Sequence, residues 1–160
     1  VDPSKPKGSY AGAMGLGQFM PSSFLEYAVD FNGDGKKNLW DPEDAIGSVA
    51  NYFSGHGWQR EGRVTAPVQV QNQAIGLKTG YDSSYSPEEL EMAGIDLGGS
   101  LKQAEMGPVS LLRLSSTRGD EYWVGFKNFY VISRYNHSTH YSMAVHQLAQ
   151  AIRKAYMGLQ

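Results

Sequence analysis

GSYAGAMGLGQFMPSS, residues 8–23, is the stretch from which the rest of the chain is read. It holds four glycines, two methionines, one glutamine, one proline and no charge. Its alanines and methionines suit a helix, but Gly12, Gly15 and Gly17 would each cost about 1 kcal/mol against alanine in one. Glycines this close together mark tight turns, or a backbone that another group approaches closely. Pro21 and the Ser22-Ser23 pair punctuate the segment, and either serine is a good N-cap for a helix over 22–29 (SSFLEYAV). One amide, Gln18, stands in the apolar run between Gly17 and Phe19 and needs a hydrogen-bond partner there. Capping of backbone groups within a packed turn meets that need.

Next along the chain is DFNGDGKKNLWD, residues 30–41. Asp30, Asn32 and Asp34 take positions 1, 3 and 5 of an EF-hand loop, and Gly35 takes position 6. Alternate side chains converge on one cation while the glycine permits the sharp turn. Lys36 would offer its backbone carbonyl at position 7, and Asn38 its side chain or a bridging water at position 9. The second half departs from the pattern, because position 12 is Asp41 and not a bidentate glutamate. Asp41-Pro42-Glu43-Asp44 also reads as a helix start, with Asp41 at the N-cap and Pro42 at N1. Asp44 or Asp41 is then the closing ligand of a calcium site; the alternative is an Asn/Asp/Gly-rich turn without metal.

PEDAIGSVANYFSGH, residues 42–56, is the clearest helix, with Ala45, Ile46, Val49, Ala50 and Phe53 near helical spacing. Tyr52 can point away from that stripe or be structural. After Trp58 the long helical periodicity stops. VTAPVQVQNQ (64–73), SLLRLSS (110–116) and EYWVGFK (121–127) read as strands, with turns at Thr79-Gly80 and at Arg118-Gly119-Asp120. SPEELEMAG (86–94) reads as a short helix capped by Ser86, with Glu89 at N3. NFYVISRY (128–135) returns to helix. Ser138 or Thr139 can cap the last one, which runs to about Tyr156 with Met143, Val145, Leu148, Ala149 and Ile152 as its apolar members.

The chain has 160 residues, 41% hydrophobic and 19% charged, with a net charge of −2. That suits a globular domain and gives no general electrostatic pull towards nucleic acid. Without cysteine there is no disulfide framework and no thiolate metal site. Val1 reads as an internal start, preceded by a polar, proline-containing lead-in over residues 1–8. His137 and His140 suggest zinc, but no third ligand of clear spacing follows and His56 and His146 stand alone. No Gly-x-Ser-x-Gly elbow or phosphate loop is present. Glu26, Glu43 and Asp44 cannot be paired across a cleft from sequence, as a two-carboxylate glycosidase would require.

GAMGLGQFMPSSF closely resembles the Gly-Leu-Met-Gln-Ile-Met-Pro type motif of lytic transglycosylases and goose-type lysozymes. NLWDPEDAIGSVANYF (38–53), Gly57-Trp58 and NFYVISRYNHSTHYSMAVHQLAQA (128–151) extend the similarity over almost the whole chain. The chain thus resembles the membrane-bound lytic murein transglycosylase B family, as the C-terminal part of its catalytic region. The resemblance implies an α+β, mainly α fold: a lysozyme-like helical core over 1–57 and 128–160, with an EF-hand-like calcium loop at 30–44 and a small β-containing subdomain inserted at 58–127. A loop longer than usual in that family favours Asp44 as the closing ligand.

The resemblance further implies non-hydrolytic cleavage of the β-1,4 bond between N-acetylmuramic acid and N-acetylglucosamine in peptidoglycan, giving 1,6-anhydro-muramoyl ends. One glutamate acts as acid and then base. In the family it lies well upstream of the segment matched by Gly8–Ser23, and no glutamate of this chain matches it, so the acid is expected in an upstream part of the same protein. By the same resemblance Ser9, Gln18, Tyr52, Tyr135, Asn136 and Tyr141 bind the glycan. Structural calcium, no organic cofactor, and a periplasmic location with any membrane attachment through an upstream anchor complete the expectation. A hydrolytic lysozyme of the same fold and a calcium-stabilised, non-catalytic peptidoglycan-binding module are the rivals.

Overall fold

The computed structural model describes residues 8–71, 76–98, 107–117 and 119–158. The expected lead-in over 1–8, apart from Gly8, lies outside them. So do the last two residues of the strand expected over 64–73, and Arg118 of the expected turn. The chain divides into two compact units, 1–58 and 59–160.

The first unit is a turn, two helices and the loop between them. Met14 and Phe19 exchange backbone hydrogen bonds at 2.9 and 3.0 Å, so the glycine-rich segment folds back on itself as a miniature hairpin. Gly15 (φ +67°) and Gln18 (φ +50°) stand in the left-handed region at its bend. Helix α1 is Pro21–Tyr27. Its N-cap is Met20 and no side chain caps it, so neither Ser22 nor Ser23 serves: Pro21 already fits N1, where a missing N–H costs nothing. The helix also stops at Tyr27, short of the expected Val29. Helix α2, Pro42–Gly55, starts as expected, with Asp41 Oδ1 accepting from the amides of Glu43 (2.9 Å) and Asp44 (3.3 Å).

The buried stripe of α2 differs from the sequence reading. Asp44, Ala45, Gly47, Ser48 and Tyr52 are buried, while Ile46 is 68% exposed. The reason is polar. Ser48 Oγ accepts from the Val29 amide at 3.0 Å and Asn51 Nδ2 donates to the Tyr27 carbonyl at 3.0 Å, so the end of α1 is caught by hydrogen bonds. Gly47 packs against the Phe31 ring so closely that a Cβ there would meet it at 2.5 Å. A hydrophobicity pattern does not register a face held by serine, glycine and aspartate.

The second unit is a four-stranded antiparallel sheet, ordered β2-β1-β4-β3, with helices on both faces. Its strands are β1 (Thr65–Val70), β2 (Ile95–Asp96), β3 (Ser110–Ser116) and β4 (Gly119–Gly125). The register pairs Leu111 with Val124 and Leu112 with Trp123, so alternate residues feed opposite faces. On one face Val68, Leu111 and Val124 pack with Leu90, Ile95 and Leu97 from the segment of α3 (Pro87–Met92) and β2. The Ser86–Glu89 capping box of α3 is formed as its sequence predicts. On the other face Leu112 packs with Phe129 of α4 (Lys127–Tyr135) and Met143 of α5 (Thr139–Tyr156).

Buried Asn128 joins the start of the unit to α4. Its Oδ1 accepts from the Gln59 amide at 2.8 Å, and its Nδ2 donates to the carbonyls of Gln59 (2.8 Å) and Gly62 (2.9 Å). Beyond Met143 the apolar residues of α5 are not core: Leu148 is 61% and Ile152 59% exposed. Among the described residues no helix is long and apolar enough to cross a membrane.

Candidate functional site

In the first unit the residues expected to bind glycan follow the hairpin. Ser9 closes its entry. The Ser9 amide donates to the Ala13 carbonyl at 2.9 Å, and Ser9 Oγ accepts from the Ala13 amide at 3.1 Å. Gln18 closes its bend, with its amide and its Nε2 both donating to the Gly15 carbonyl, at 3.2 and 2.9 Å. Gln18 is exposed, so the setting inferred from its apolar neighbours is corrected: the bend lifts the amide out of the run that flanks it. A left-handed glutamine costs about 1 kcal/mol or more, a strain of the kind that gathers at functional positions.

Buried Phe19 carries the hairpin onto α2. Its ring lies 5.9 Å from that of Tyr52, which meets Tyr27 edge-on at 5.0 Å and stacks on His56 at 4.1 Å. Tyr52 is therefore the centre of an aromatic cluster and only 9% exposed. The Glu26 carboxylate, by hydrogen bonding, raises the pKa of the Tyr27 hydroxyl above its ordinary value. Tyr27 was not singled out in the sequence and His56 only as a lone imidazole, though the i, i+4 spacing of Tyr52 and His56 on one helix was available to link them.

The loop of residues 30–44 is ordered by its own carboxylates. Asp30 accepts from the amides of Gly33 (2.8 Å), Asp34 (3.1 Å) and Gly35 (2.8 Å). Asn32 Oδ1 accepts from Asp34 and Asp34 Oδ1 from Lys36, at 3.0 and 2.9 Å. Asp44, fully buried, reaches back from α2 to accept from Phe31 (2.8 Å), Asn32 (3.3 Å) and Asn38 (2.8 Å). Those backbone bonds, led by the one from Asn38, hold its carboxyl below the ordinary aspartate pKa. Among the described residues no three carboxylate or imidazole side chains gather at one point. All the donors the loop offers are hard oxygens, and Gly33 and Gly35 adopt the positive φ that its tight path requires.

In the second unit Tyr135 ends α4, Asn136 follows it, and Tyr141 lies in the first turn of α5, so the three flank the turn between these helices. Asn136 is exposed, and its carbonyl accepts from the Ser138 amide at 2.7 Å. Ser138 is the N-cap, its Oγ accepting from the Tyr141 amide at 3.2 Å. His137 stacks on Tyr81 at 5.8 Å.

Residues 1–150 match the family described as Transglycosylase SLT domain. The chain belongs to that family. It is 55% identical, over 154 residues, to membrane-bound lytic murein transglycosylase B of Escherichia coli strain K12, covering 96% of this chain and 42% of that protein. The chain thus spans less than half the length of this relative. Among solved structures, the E. coli lytic transglycosylase Slt35 in complex with calcium is 54% identical, with a TM-score of 0.85 over 93% of this chain and 46% of its own. SltB3 from Pseudomonas aeruginosa, in complex with NAG-anhNAM-pentapeptide, is 34% identical, with a TM-score of 0.78 over 96% of this chain and 42% of its own. The fold is therefore the lysozyme-like one of the SLT family, helices with a small antiparallel sheet.

Proposed function

We propose that this chain is the glycan-binding part of a periplasmic lytic transglycosylase acting on peptide-bearing peptidoglycan strands. The observation that carries the reading is the strained hairpin at Met14–Phe19, seated on Tyr52 through Phe19 and offering an exposed amide at its bend. The names of the related proteins supply the reaction class. In the first unit Ser9, Gln18 and the little-exposed Tyr52 are assigned to sugar contact, and in the second unit Tyr135, Asn136 and Tyr141 are. The faces of Tyr135 and Tyr141 stack on pyranose rings, and hydroxyl and amide groups bond to N-acetyl and hydroxyl groups.

The reaction conserves atoms without water. A glutamate protonates the glycosidic oxygen as its bond to the muramoyl C1 breaks. The same carboxylate then takes the proton from the muramoyl 6-hydroxyl as O6 closes on C1, which regenerates the acid. Neighbouring-group help from the N-acetyl group removes the need for a second carboxylate. None of the chain's glutamates stands where the family motif requires the acid, and we assign that role to polypeptide outside these 160 residues.

Calcium fits the donor chemistry of residues 30–44: side-chain oxygens of Asp30, Asn32 and Asp34 and the carbonyl of Lys36, closed by Asp44 or by Asp41. Asp44 already holds three amides and Asp41 Oδ1 two, so the closing oxygen is either the remaining lone pair of Asp44 or Asp41 Oδ2. Bound there, the ion supplies stability, because it binds only the folded loop.

Digestion of purified peptidoglycan by the full-length protein, with mass analysis of the released muropeptides, tests the activity. Anhydro products, lighter by one water than reducing ends, are expected. Reducing products would establish the hydrolytic lysozyme, and retention on peptidoglycan without release would establish a binding module. Gln18→Ala should lower turnover by a larger factor than it lowers stability; unchanged turnover would remove Gln18 from the site.

A further inference from the structure

A groove of about 390 Å³ lies within the second unit, between the turn at 79–82, the outer strand β3 and the start of α5. No expected glycan-binding residue lines it. Tyr81, Asp82, Arg113, His137 and His140 do. The Tyr81 and His137 rings, both in the lining, stack on one another 22° from parallel. The turn is fixed from below: the Tyr81 amide donates to Thr139 Oγ1 at 3.2 Å, and the Gly80 amide donates to the Leu111 carbonyl at 2.8 Å. A Cβ at Gly80, whose φ is +135°, would stand 3.1 Å from Asp82 Oδ1, so glycine keeps the floor clear.

The groove carries both signs of charge, each in a solvent-exposed pair. Asp82 pairs with Lys78 at 2.6 Å, but both side chains are more than half exposed. Arg113 faces Asp120 at 3.9 Å, and Asp120 is itself engaged by Ser115 Oγ at 2.8 Å. Exposed pairs of this kind contribute little and exchange readily for a ligand's charges. A guanidinium and a carboxylate in one groove beside a stacked aromatic pair suit a zwitterion at the end of an aliphatic chain. They do not suit an uncharged sugar.

We propose that this groove seats the diamino acid of the peptidoglycan stem peptide, its side-chain carboxylate on Arg113 and its side-chain ammonium on Asp82. The aliphatic part lies along Tyr81 and His137. The proposal rests on the substrate reading given above and names the part of that substrate other than its sugars.

Calorimetric titration of the full-length protein with two free tripeptides tests it. The probes are L-alanyl-γ-D-glutamyl-meso-diaminopimelate and its L-lysine counterpart, which keeps the ammonium and lacks the side-chain carboxylate. The parent should bind the diaminopimelate peptide about tenfold more tightly, the preference a charge-assisted guanidinium–carboxylate contact gives. Arg113→Ala should abolish the preference, and Asp82→Asn should weaken both peptides. Both side chains are exposed, and unchanged melting temperatures establish that the variants fold. A parent without preference, or an Arg113→Ala protein that retains it, overturns the groove. Digestion of peptide-stripped glycan strands separates this from the underlying reading: anhydro ends with no tripeptide preference overturn the groove alone. Absence of anhydro ends from stripped and intact strands overturns the substrate reading, and a tripeptide preference in the same preparation upholds the groove as a peptide site.

Discussion

Gly15 is where the glycine-rich hairpin meets the segment that leads into α2, and its replacement by alanine should be among the most damaging small changes in the first unit. Its φ of +67° lies where an L side chain costs about 1–2 kcal/mol. A Cβ there would also stand 2.5 Å from the Leu39 carbonyl oxygen and 2.8 Å from its carbon. Neither atom is the free end of a side chain. Leu39 is 1% exposed, and its carbonyl accepts from the Leu16 amide at 2.8 Å. Relief of that clash requires the hairpin to lift from buried backbone, an overpacking cost of about 1–3 kcal/mol. The two together come to about 2–5 kcal/mol. Gly12 is the internal control. Its φ is +85°, but the nearest atoms to a Cβ are Pro21 Cγ and Cδ at 3.7 and 3.8 Å, so Gly12→Ala carries the conformational strain alone. In urea unfolding followed by tryptophan fluorescence, a slope of about 2 kcal/mol/M places the midpoint of Gly15→Ala about 1–2.5 M below the parent. Gly12→Ala should fall only about 0.5–1 M below it. Equal midpoints for the two variants would refute the reasoning, because contact with Leu39 would then contribute nothing.

The calcium reading predicts a melting temperature that rises with calcium and falls with chelator, by an amount equivalent to about 2.7 kcal/mol at one hundred times the dissociation constant. Asp30→Ala with Asp34→Ala should remove that dependence, and identical parent melting curves in the two buffers would sink the reading. Asp44 has a depressed pKa, so its stabilising contribution is complete above the ordinary aspartate value and is lost as pH falls through the lower folded value. Asp44→Asn should therefore be less stable than the parent at neutral pH and should flatten the acid limb of the stability profile; an unchanged limb would assign acid lability elsewhere. Asn128→Ala leaves the Gln59 amide and the Gly62 carbonyl without their side-chain partner, while the Gln59 carbonyl keeps the Gly62 amide, and should cost about 1–3 kcal/mol, read as a fall in the denaturation midpoint. A loss below about 0.5 kcal/mol, the range of ordinary surface changes, would show that water replaces the amide.

What the sequence disclosed followed local chemistry. The Asp41-Pro42 start of α2, the Ser86–Glu89 box and the Ser138 cap depend on residues within four positions of one another, and each is formed. The strand 110–116 was legible from its apolar run beside the turn expected at 118–120. Errors came where a distant partner decides. Ile46 is apolar and exposed because the face of α2 that is buried is occupied by Asp44, Gly47 and Ser48, whose partners lie in the segment from Val29 to Asn38. Gln18 sits among apolar neighbours in sequence, yet a left-handed bend turns it outward. Asn128 looks like any polar residue at the start of a helix, and nothing local signals that it joins residues 59–62 to α4.

The same distinction explains the character of the candidate site. Ser9 and Gln18 each close a turn of their own backbone, and Asn136 receives the amide of Ser138. Their side chains are thus presented by local loops rather than by the core. The supports beneath them are specific: Phe19 on Tyr52, Gly15 on Leu39, and Asp44 across the loop of residues 30–38. Asp44 fastens that loop to α2, the helix that also carries Tyr52. A cation held by Asp30, Asn32 and Asp34 would tighten the same connection, since those side chains already bond to the loop's backbone. On the proposed reading the loop bears on the site through the position of Leu39 and the hairpin resting on it. Loss of the ion should weaken glycan binding at Gln18 without any ligand to the metal touching sugar.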